Sequence, residues 1–168
     1  MWPAAAAGAT FYYNDLAAAE AFYLAEIGLT VVDRSPGRVV LQIASASFLT
    51  LAVGSAGLTG TAKATAIAIL TNTLDEWDTR ATERSLPRME GSGGGLSFLT
   101  RKEGSPHDGF VVLDPEGYKL EFEQFNQHPE NETLMPLLAA CPDVETTIPG
   151  LSFHAHISWL YFRDPPVK

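Results

Sequence analysis

The chain has 168 residues, 46% of them hydrophobic, which is enough for one domain or for two small modules that share a core. Twenty acidic residues against eleven basic ones give a net charge of -9, which disfavours binding to nucleic acid and to anionic membrane surfaces. The single cysteine, Cys141, excludes an intramolecular disulfide, and the sequence has no cysteine and histidine array of the structural zinc type.

The N-terminal residues, MWPAAAAGA, are small and apolar but lack the basic start and the cleavage pattern of a signal peptide. No stretch reaches the ~18 consecutive apolar residues of a membrane-spanning helix. We therefore expect a loose N-terminal arm and a cytoplasmic protein, with export open if a leader has been removed.

The first part of the chain predicts a strand, a helix and a meander of strands. The helix is expected at about 16–27, because Asp15 suits its N-cap and Gly28 the position after its C-terminus. Strands are expected at 9–13, from Leu29, near 38–44 and near 47–53.

After a linker rich in glycine, serine and threonine, the same order returns. A helix over 73–85 has Leu74, Trp77 and Ala81 on one face, so Trp77 is expected in the core. The strands are predicted at 66–72, at 94–102 and in a hairpin over 108–125. The strand and helix recur at an offset near 58, and residues 48–51 recur at 119–122, an offset of 71.

Two segments, NDLAAAEAFYLAEIGL at 14–29 and LDPEGYKLEF at 113–122, accompany this duplication. With them, residues 8–125 resemble the vicinal oxygen chelate superfamily, which includes glyoxalase I, the bleomycin resistance proteins and the extradiol dioxygenases. The resemblance implies an α+β fold of two βαβββ modules that form an eight-stranded open bowl, followed by a C-terminal helix and an extra strand. The expected domains are a first module at 1–60, a second module at 61–127, and a C-terminal part at 128–168.

The C-terminal part is predicted to hold a short helix at 129–141, a linker at 142–150 and an apolar, alternating strand at 151–163. We expect this strand to pair with a sheet edge of its own chain or of a partner in a homodimer. NET at 131–133 fits a glycosylation acceptor, a short motif with little weight.

In metal-dependent members of the superfamily, ligands come from the first and last strands of each module. The resemblance places three of these positions on residues without a strong donor, namely Gly8, Thr50 and 64–66. Only Glu121 remains, so we expect no cofactor. As the alternative, Glu121 with His154 and His156 would form a two-histidine, one-carboxylate site for zinc, manganese or iron. The other histidines, His107 and His128, are expected in solvated loops.

The alternation of strand side chains defines a candidate binding face. In KLEFEQF, Glu121 and Glu123 share one face, whereas Leu120 and Phe122 share the other. The residues expected to line the site are Tyr12, Gln42, Phe48, Thr50, Glu121, Glu123 and Phe125. Carboxylates beside aromatic rings favour a cationic aromatic ligand.

The leading hypothesis is a non-enzymatic protein that binds a small molecule and forms a homodimer. One alternative is a lyase or dioxygenase that depends on a divalent metal held by Glu121 with His154 and His156. Another is a fragment of a larger, four-module enzyme, because LYFRDPP at 160–166 resembles FYYNDLA at 11–17. No catalytic residue is predicted.

Overall fold

The computed structural model describes residues 7–55, 59, 63, 65–89, 99–140, 142–153 and 155–160, the last range by its backbone alone. The elements, in chain order, are β1 (Ala7–Tyr13), α1 (Leu16–Ala25), β2 (Thr30–Ser35), β3 (Arg38–Ala44), β4 (Ser47–Val53), β5 (Thr65–Leu70), α2 (Leu74–Glu83), β6 (His107–Leu113), β7 (Lys119–Phe125), a 3-10 turn (Pro129–Asn131), α3 (Leu134–Leu138), β8 (Val144–Glu145), β9 (Ser152–Phe153) and β10 (Ala155–Leu160). The chain is therefore of the α+β class. None of the helices within these ranges is long and apolar enough to cross a membrane.

Two four-stranded sheets share a common connectivity. The first has the order β1-β4-β3-β2 and the second the order β10-β5-β7-β6. In the first, β1 runs parallel to β4 and Thr10 pairs with Thr50. In the second, β5 runs parallel to β7 and Ala68 pairs with Glu121. The equivalence of Thr50 and Glu121 that the offset of 71 predicts is thus present in the strand pairing.

The predicted strand at 94–102 falls mostly outside the described residues. Its described end contains Thr100, which forms an isolated antiparallel bridge with Gly109 beside β6. Arg88 forms a second bridge, with Val112. The chain therefore meets the outer edge of β6 at two places.

α1 begins where the sequence predicts, α2 begins one residue later, and the short helix predicted at 129–141 is a 3-10 turn followed by α3. Asp15 Oδ1 accepts a hydrogen bond from the backbone N–H of Ala18 at 3.0 Å, which caps α1. The helix ends at Ala25, two residues earlier than expected, and Gly28 follows with φ +74°. A side chain at Gly28 would be strained by this φ, and its Cβ would lie 2.9 Å from Ile148.

The hydrophobic core lies between the helices and one face of each sheet. The strand side chains that alternate with the predicted binding residues are all buried, namely Phe11, Tyr13, Leu49, Leu51, Leu120 and Phe122. The α2 residues Leu74, Trp77 and Ala81 are buried as well. The alternation of strand residues was therefore interpreted correctly.

The turn between β6 and β7 binds to the first half of the chain through a buried carboxylate. Asp114 Oδ2 accepts hydrogen bonds from the hydroxyls of Tyr13 at 2.6 Å and Tyr23 at 3.1 Å. Its Oδ1 accepts from the backbone N–H groups of Glu116 at 3.0 Å and Tyr118 at 2.8 Å. One side chain thus shapes the turn and joins it to β1 and α1.

Two neighbours of Asp114 extend this contact. Glu116 Oε1 accepts hydrogen bonds from the backbone N–H groups of Asn14 at 2.6 Å and Asp15 at 2.9 Å. The Tyr118 ring stacks on Phe11 with a centroid separation of 3.9 Å. The segment before α1 is therefore held by residues about a hundred positions further along the chain.

Residues 142–153, called the strap below, were predicted as a linker leading into a strand and instead contain the β8–β9 hairpin. Phe153 stacks on Trp77 at 5.2 Å, and the indole Nε1 of Trp77 donates to the carbonyl of Ser152 at 3.2 Å. The backbone N–H of Thr147 donates to the carbonyl of Gly28 at 2.9 Å. The strap therefore contacts the chain just after α1 and the first turn of α2.

The predicted C-terminal strand is present as β9 and β10. β10 pairs antiparallel with β5 of the same chain, so the own-chain version of the prediction is the one observed. The pairing places His156 opposite Ile69. Residues 161–168, which include most of LYFRDPP, lie outside the described residues.

We predict that Asp114→Ala lowers the free energy of unfolding by roughly 2 to 4 kcal/mol, because it leaves two tyrosine hydroxyls and two backbone N–H groups without their acceptor. Urea denaturation followed by tryptophan fluorescence measures the change. The control is Glu103→Ala at an exposed position, where we expect a change within about 0.5 kcal/mol. Equal unfolding midpoints for Asp114→Ala and the unsubstituted protein would contradict the prediction.

Candidate functional site

Two carboxylates lie side by side on the face of β7 that points away from the core. Leu120 and Phe122 are buried, whereas Glu121 and Glu123 are half-buried on the opposite side of the strand. Flanking strands restrict the solvent around them, because β7 lies between β5 and β6.

Burial changes the acidity of both groups. It raises the pKa of Glu121, and the charge of Lys119 opposes this rise. It raises the pKa of Glu123 to about 7, with the negative charge of Glu121 as the second cause. The imidazole Nε2 of His107 is 3.8 Å from Glu123 Oε1. Glu121 and Glu123 therefore form an electrostatically unfavourable pair when both are ionised.

Gly109 permits the close approach of β6 to β7 at this point. It is the register partner of Glu123. A Cβ at Gly109 would lie 2.5 Å from the carbonyl oxygen of Phe122 and 3.3 Å from Cγ of Glu123. A glycine inside a strand pattern is the sequence signal for such an approach, and our sequence interpretation did not use it.

His128 lies in a loop, as predicted, whereas His107 differs from the prediction of a solvated loop residue. His107 is the first residue of β6, and its side chain is 40% exposed. The Nδ1 of His128 accepts a hydrogen bond from the backbone N–H of Glu130 at 3.2 Å and caps the 3-10 turn. His107 therefore contributes to the candidate site, and His128 has a structural role.

Asn131 is buried, and its side chain fastens the 3-10 turn to the second half. Its amide Nδ2 donates to the carbonyls of Pro106 at 2.6 Å and Asn126 at 2.8 Å. The nitrogen that glycosylation of NET would modify is therefore enclosed and bonded, in keeping with the little weight that the motif carries. These bonds direct the chain that follows, α3, across the ends of β5 and β7.

A cavity of about 200 Å³ lies between α3 and the second sheet. Its lining residues are Leu70, Thr71, Asn72, Glu123, Phe125, Met135, Leu138 and Ala139. We call it the α3 cavity. Two of the predicted site residues, Glu123 and Phe125, meet there, and the residues from α3 were not predicted to take part.

The other predicted site residues lie on the first sheet, apart from Glu121. Gln42 pairs with Phe48 across β3 and β4, and Thr50 is two residues further along β4. Tyr12 is half-buried on β1, and its backbone N–H donates to the hydroxyl of Tyr118 at 3.0 Å. The predicted lining thus forms two groups, one on each sheet, and a single eight-stranded bowl that joins them stays a prediction.

The residues around Glu121 do not fit a resident divalent metal. Its strand neighbours in register are Ala68 and Val111, which offer no donor side chain. Within the described ranges, no three histidine, cysteine, aspartate or glutamate residues are grouped closely enough to hold a metal ion. The alternative set that adds His154 and His156 stays a prediction, because His154 and the side chain of His156 lie outside the described residues.

Comparison with known proteins gives matches among solved structures. A lactoylglutathione lyase from Agrobacterium tumefaciens superposes with a TM-score of 0.56 at 24% identity, over 73% of this chain and 94% of that one. A glyoxalase/bleomycin resistance protein/dioxygenase from Alicyclobacillus acidocaldarius gives 0.54 at 21% identity, over 70% and 89%. A bleomycin resistance determinant encoded on transposon Tn5 gives 0.52 at 17% identity, over 71% and 96%. No family model matches the sequence, and the search of curated proteins finds no significant match.

These structures define the class of the protein by its architecture. The chain has the fold of the vicinal oxygen chelate superfamily, as the two sequence segments implied. At these identities the likeness concerns the fold, and the chemistry has to be argued from the residues of this chain.

The raised pKa of Glu123 predicts a loss of stability as the pH rises. Below its ordinary pKa of 4.5 the group is protonated in both states and has no effect, whereas above about 7 the folded state contains a buried charge. Between these values the free energy of unfolding should fall, by on the order of 2 to 3 kcal/mol from this residue.

Urea denaturation from pH 4.5 to 7 on the protein and on Glu123→Gln measures this effect. The variant should lose less stability over that range. Glu103→Gln removes an acid that is exposed, and it should leave the pH dependence unchanged. Parallel curves for the protein and Glu123→Gln would contradict the assignment.

Proposed function

We propose that the protein binds a small, positively charged organic molecule on the sheet face that carries Glu121 and Glu123, without a resident metal. The observation that supports it is the pair of half-buried carboxylates on β7, which burial and mutual repulsion destabilise. A bound cation would stabilise both, because it adds an opposite charge beside the two carboxylates, of which Glu121 alone has its pKa lowered by the charge of Lys119.

Aromatic side chains supply the second part of the proposed site. Phe125 lines the α3 cavity together with Glu123. A cationic group gains attraction from the face of an aromatic ring and a charge-assisted hydrogen bond from a carboxylate. We propose that Tyr12 and Phe48 complete the lining when the two sheets, of one chain or of a homodimer, come together. The edge position of β1 supports such a meeting of sheets.

The compared structures support the class of function and leave the ligand open. One is described as a bleomycin resistance determinant, and another as a lactoylglutathione lyase. The metal-dependent lyase or dioxygenase has less support, because Gly8, Thr50 and residues 64–66 occupy the positions where the resemblance expects ligands.

Calorimetry with benzamidine, benzamide and benzoate tests the proposed preference for a cation. These compounds share a planar ring and differ in charge. We expect benzamidine to bind about tenfold more tightly than benzamide, with benzoate weakest, since a hydrogen bond to a charged group contributes about 1.5 to 3 kcal/mol. Glu121→Gln should weaken benzamidine by a similar factor.

The matched control is Glu103→Gln, which makes the same change in net charge at an exposed position. It should leave the affinity for benzamidine unchanged. Equal affinities for the three compounds, or equal effects of Glu121→Gln and Glu103→Gln, would overturn the proposed function.

Metal addition tests the second part of the proposal. Zinc, manganese or iron(II), added to protein first treated with a chelator, should leave the melting temperature unchanged within about 1 °C, because a single carboxylate holds such ions weakly. Differential scanning calorimetry measures this. A rise of several degrees that Glu121→Gln abolishes would favour the enzyme with displaced histidine ligands.

A further inference from the structure

We infer that the α3 cavity selects the ligand: it takes a primary ammonium group on a compact apolar body in preference to larger planar cations. The inference rests on the proposed function and adds to it a place, a size limit and a set of discriminating residues. The observations behind it are the volume, the polar groups and the walls of the cavity.

The volume sets the size of the guest. At about 200 Å³ the cavity is smaller than the roughly 300 Å³ at which pockets for drug-sized ligands begin. A single-ring amine leaves room to spare in this space, whereas a fused-ring amine would fill most of it and would press on the wall residues of α3. Size discrimination should therefore depend on the residues of α3.

The polar groups of the cavity set the charge of the guest. The Thr71 hydroxyl donates to the carbonyl of Ser152 at 2.7 Å, and the Asn72 amide donates to Asp143 Oδ1 at 3.2 Å. Both groups are thus engaged with the strap. The carboxylate of Glu123 also lines the cavity; its side chain is 14% exposed, and its Oε1 is 3.8 Å from Nε2 of His107. A partly desolvated carboxylate prefers a cationic donor.

The walls favour an apolar body next to the ammonium group. Leu70 and Phe125 form the sheet side, and Met135 and Leu138 form the helix side. An unbranched methionine adapts to guests of different shape, and the Phe125 ring attracts a cation. A compact aromatic amine such as benzylamine matches these walls.

The cover of the cavity belongs to the part of the chain beyond residues 8–125, which carry the resemblance. α3 starts three residues after Asn131, whose side chain is bonded to Pro106 and Asn126. The face of β7 is therefore covered at the α3 cavity by α3, which the hydrogen bonds of Asn131 hold in place. The selectivity we infer is a property of this segment.

Two leucines of α3 make a matched pair for the test. Leu138 lines the cavity, whereas Leu137 is 65% exposed. Calorimetry at about pH 8, where Glu123 is ionised, compares benzylamine, the neutral benzyl alcohol and the larger 1-naphthylmethylamine. The protein should bind benzylamine about tenfold more tightly than either of the other two compounds.

Leu138→Ala should move the preference toward 1-naphthylmethylamine by at least about threefold, because it enlarges the cavity. Leu137→Ala should leave the ratio unchanged. Glu123→Gln should weaken benzylamine by about tenfold. If Leu138→Ala does not fold, Ala139→Phe serves instead, since Ala139 is an exposed residue of the cavity lining and a ring there should weaken benzylamine by blocking entry.

The outcomes separate this inference from the proposed function. Cation binding that depends on Glu121, with equal ratios for Leu138→Ala and Leu137→Ala or no effect of Ala139→Phe, overturns the α3 cavity and leaves the function standing. Equal binding of benzylamine and benzyl alcohol, together with no preference for benzamidine over benzamide, overturns both. A shift in ratio confined to Leu138→Ala, with loss in Glu123→Gln, supports both.

Discussion

The carboxylate of Asp114 is the buried group on which the association of the two halves depends. Burial raises its pKa, and the hydrogen bonds from Tyr13, from Tyr23 and from the backbone of its own turn oppose that rise. Apolar contacts would tolerate small slips between the halves, whereas these bonds are directional and fix one geometry. Because β7 starts just after this turn, the same bonds position the strand that carries the two acids of the candidate site.

Local patterns were sufficient for most of the fold. Asp15 and Gly28 flank α1 because the start of a helix requires a side-chain acceptor and the chain after its end requires a positive φ. The alternation of strand residues separated the buried Phe122 from its acidic neighbours. The duplication predicted the equivalence of Thr50 and Glu121, which the strand pairing shows. What no local pattern contained is the meeting of Asp114 with Tyr13, 101 positions apart, because DPEG predicts a turn whatever the turn touches.

The site was predicted less completely than the fold, and for a related reason. The alternation of side chains along a strand placed Glu121 and Glu123 on one face correctly, since this alternation depends only on the strand itself. The α3 cavity depends on where the chain returns after β7, which Asn131 decides through carbonyls of two other segments. The proline and threonine residues of the strap predict a linker, although the strap forms a short hairpin.

The duplication is visible in three strands of each sheet, with β1, β4 and β3 corresponding to β5, β7 and β6, whereas the C-terminal segment contributes to the second sheet. In the described residues it adds β10 beside β5 and lays α3 over the second sheet, while β1 keeps its edge position in the first. Thr50 and Glu121 occupy equivalent places in the pairing and yet have unlike surroundings. The two repeats therefore impose different packing constraints on a substitution: in the second repeat it meets a cavity beneath α3, and in the first it meets a strand edge on which a further strand would assemble.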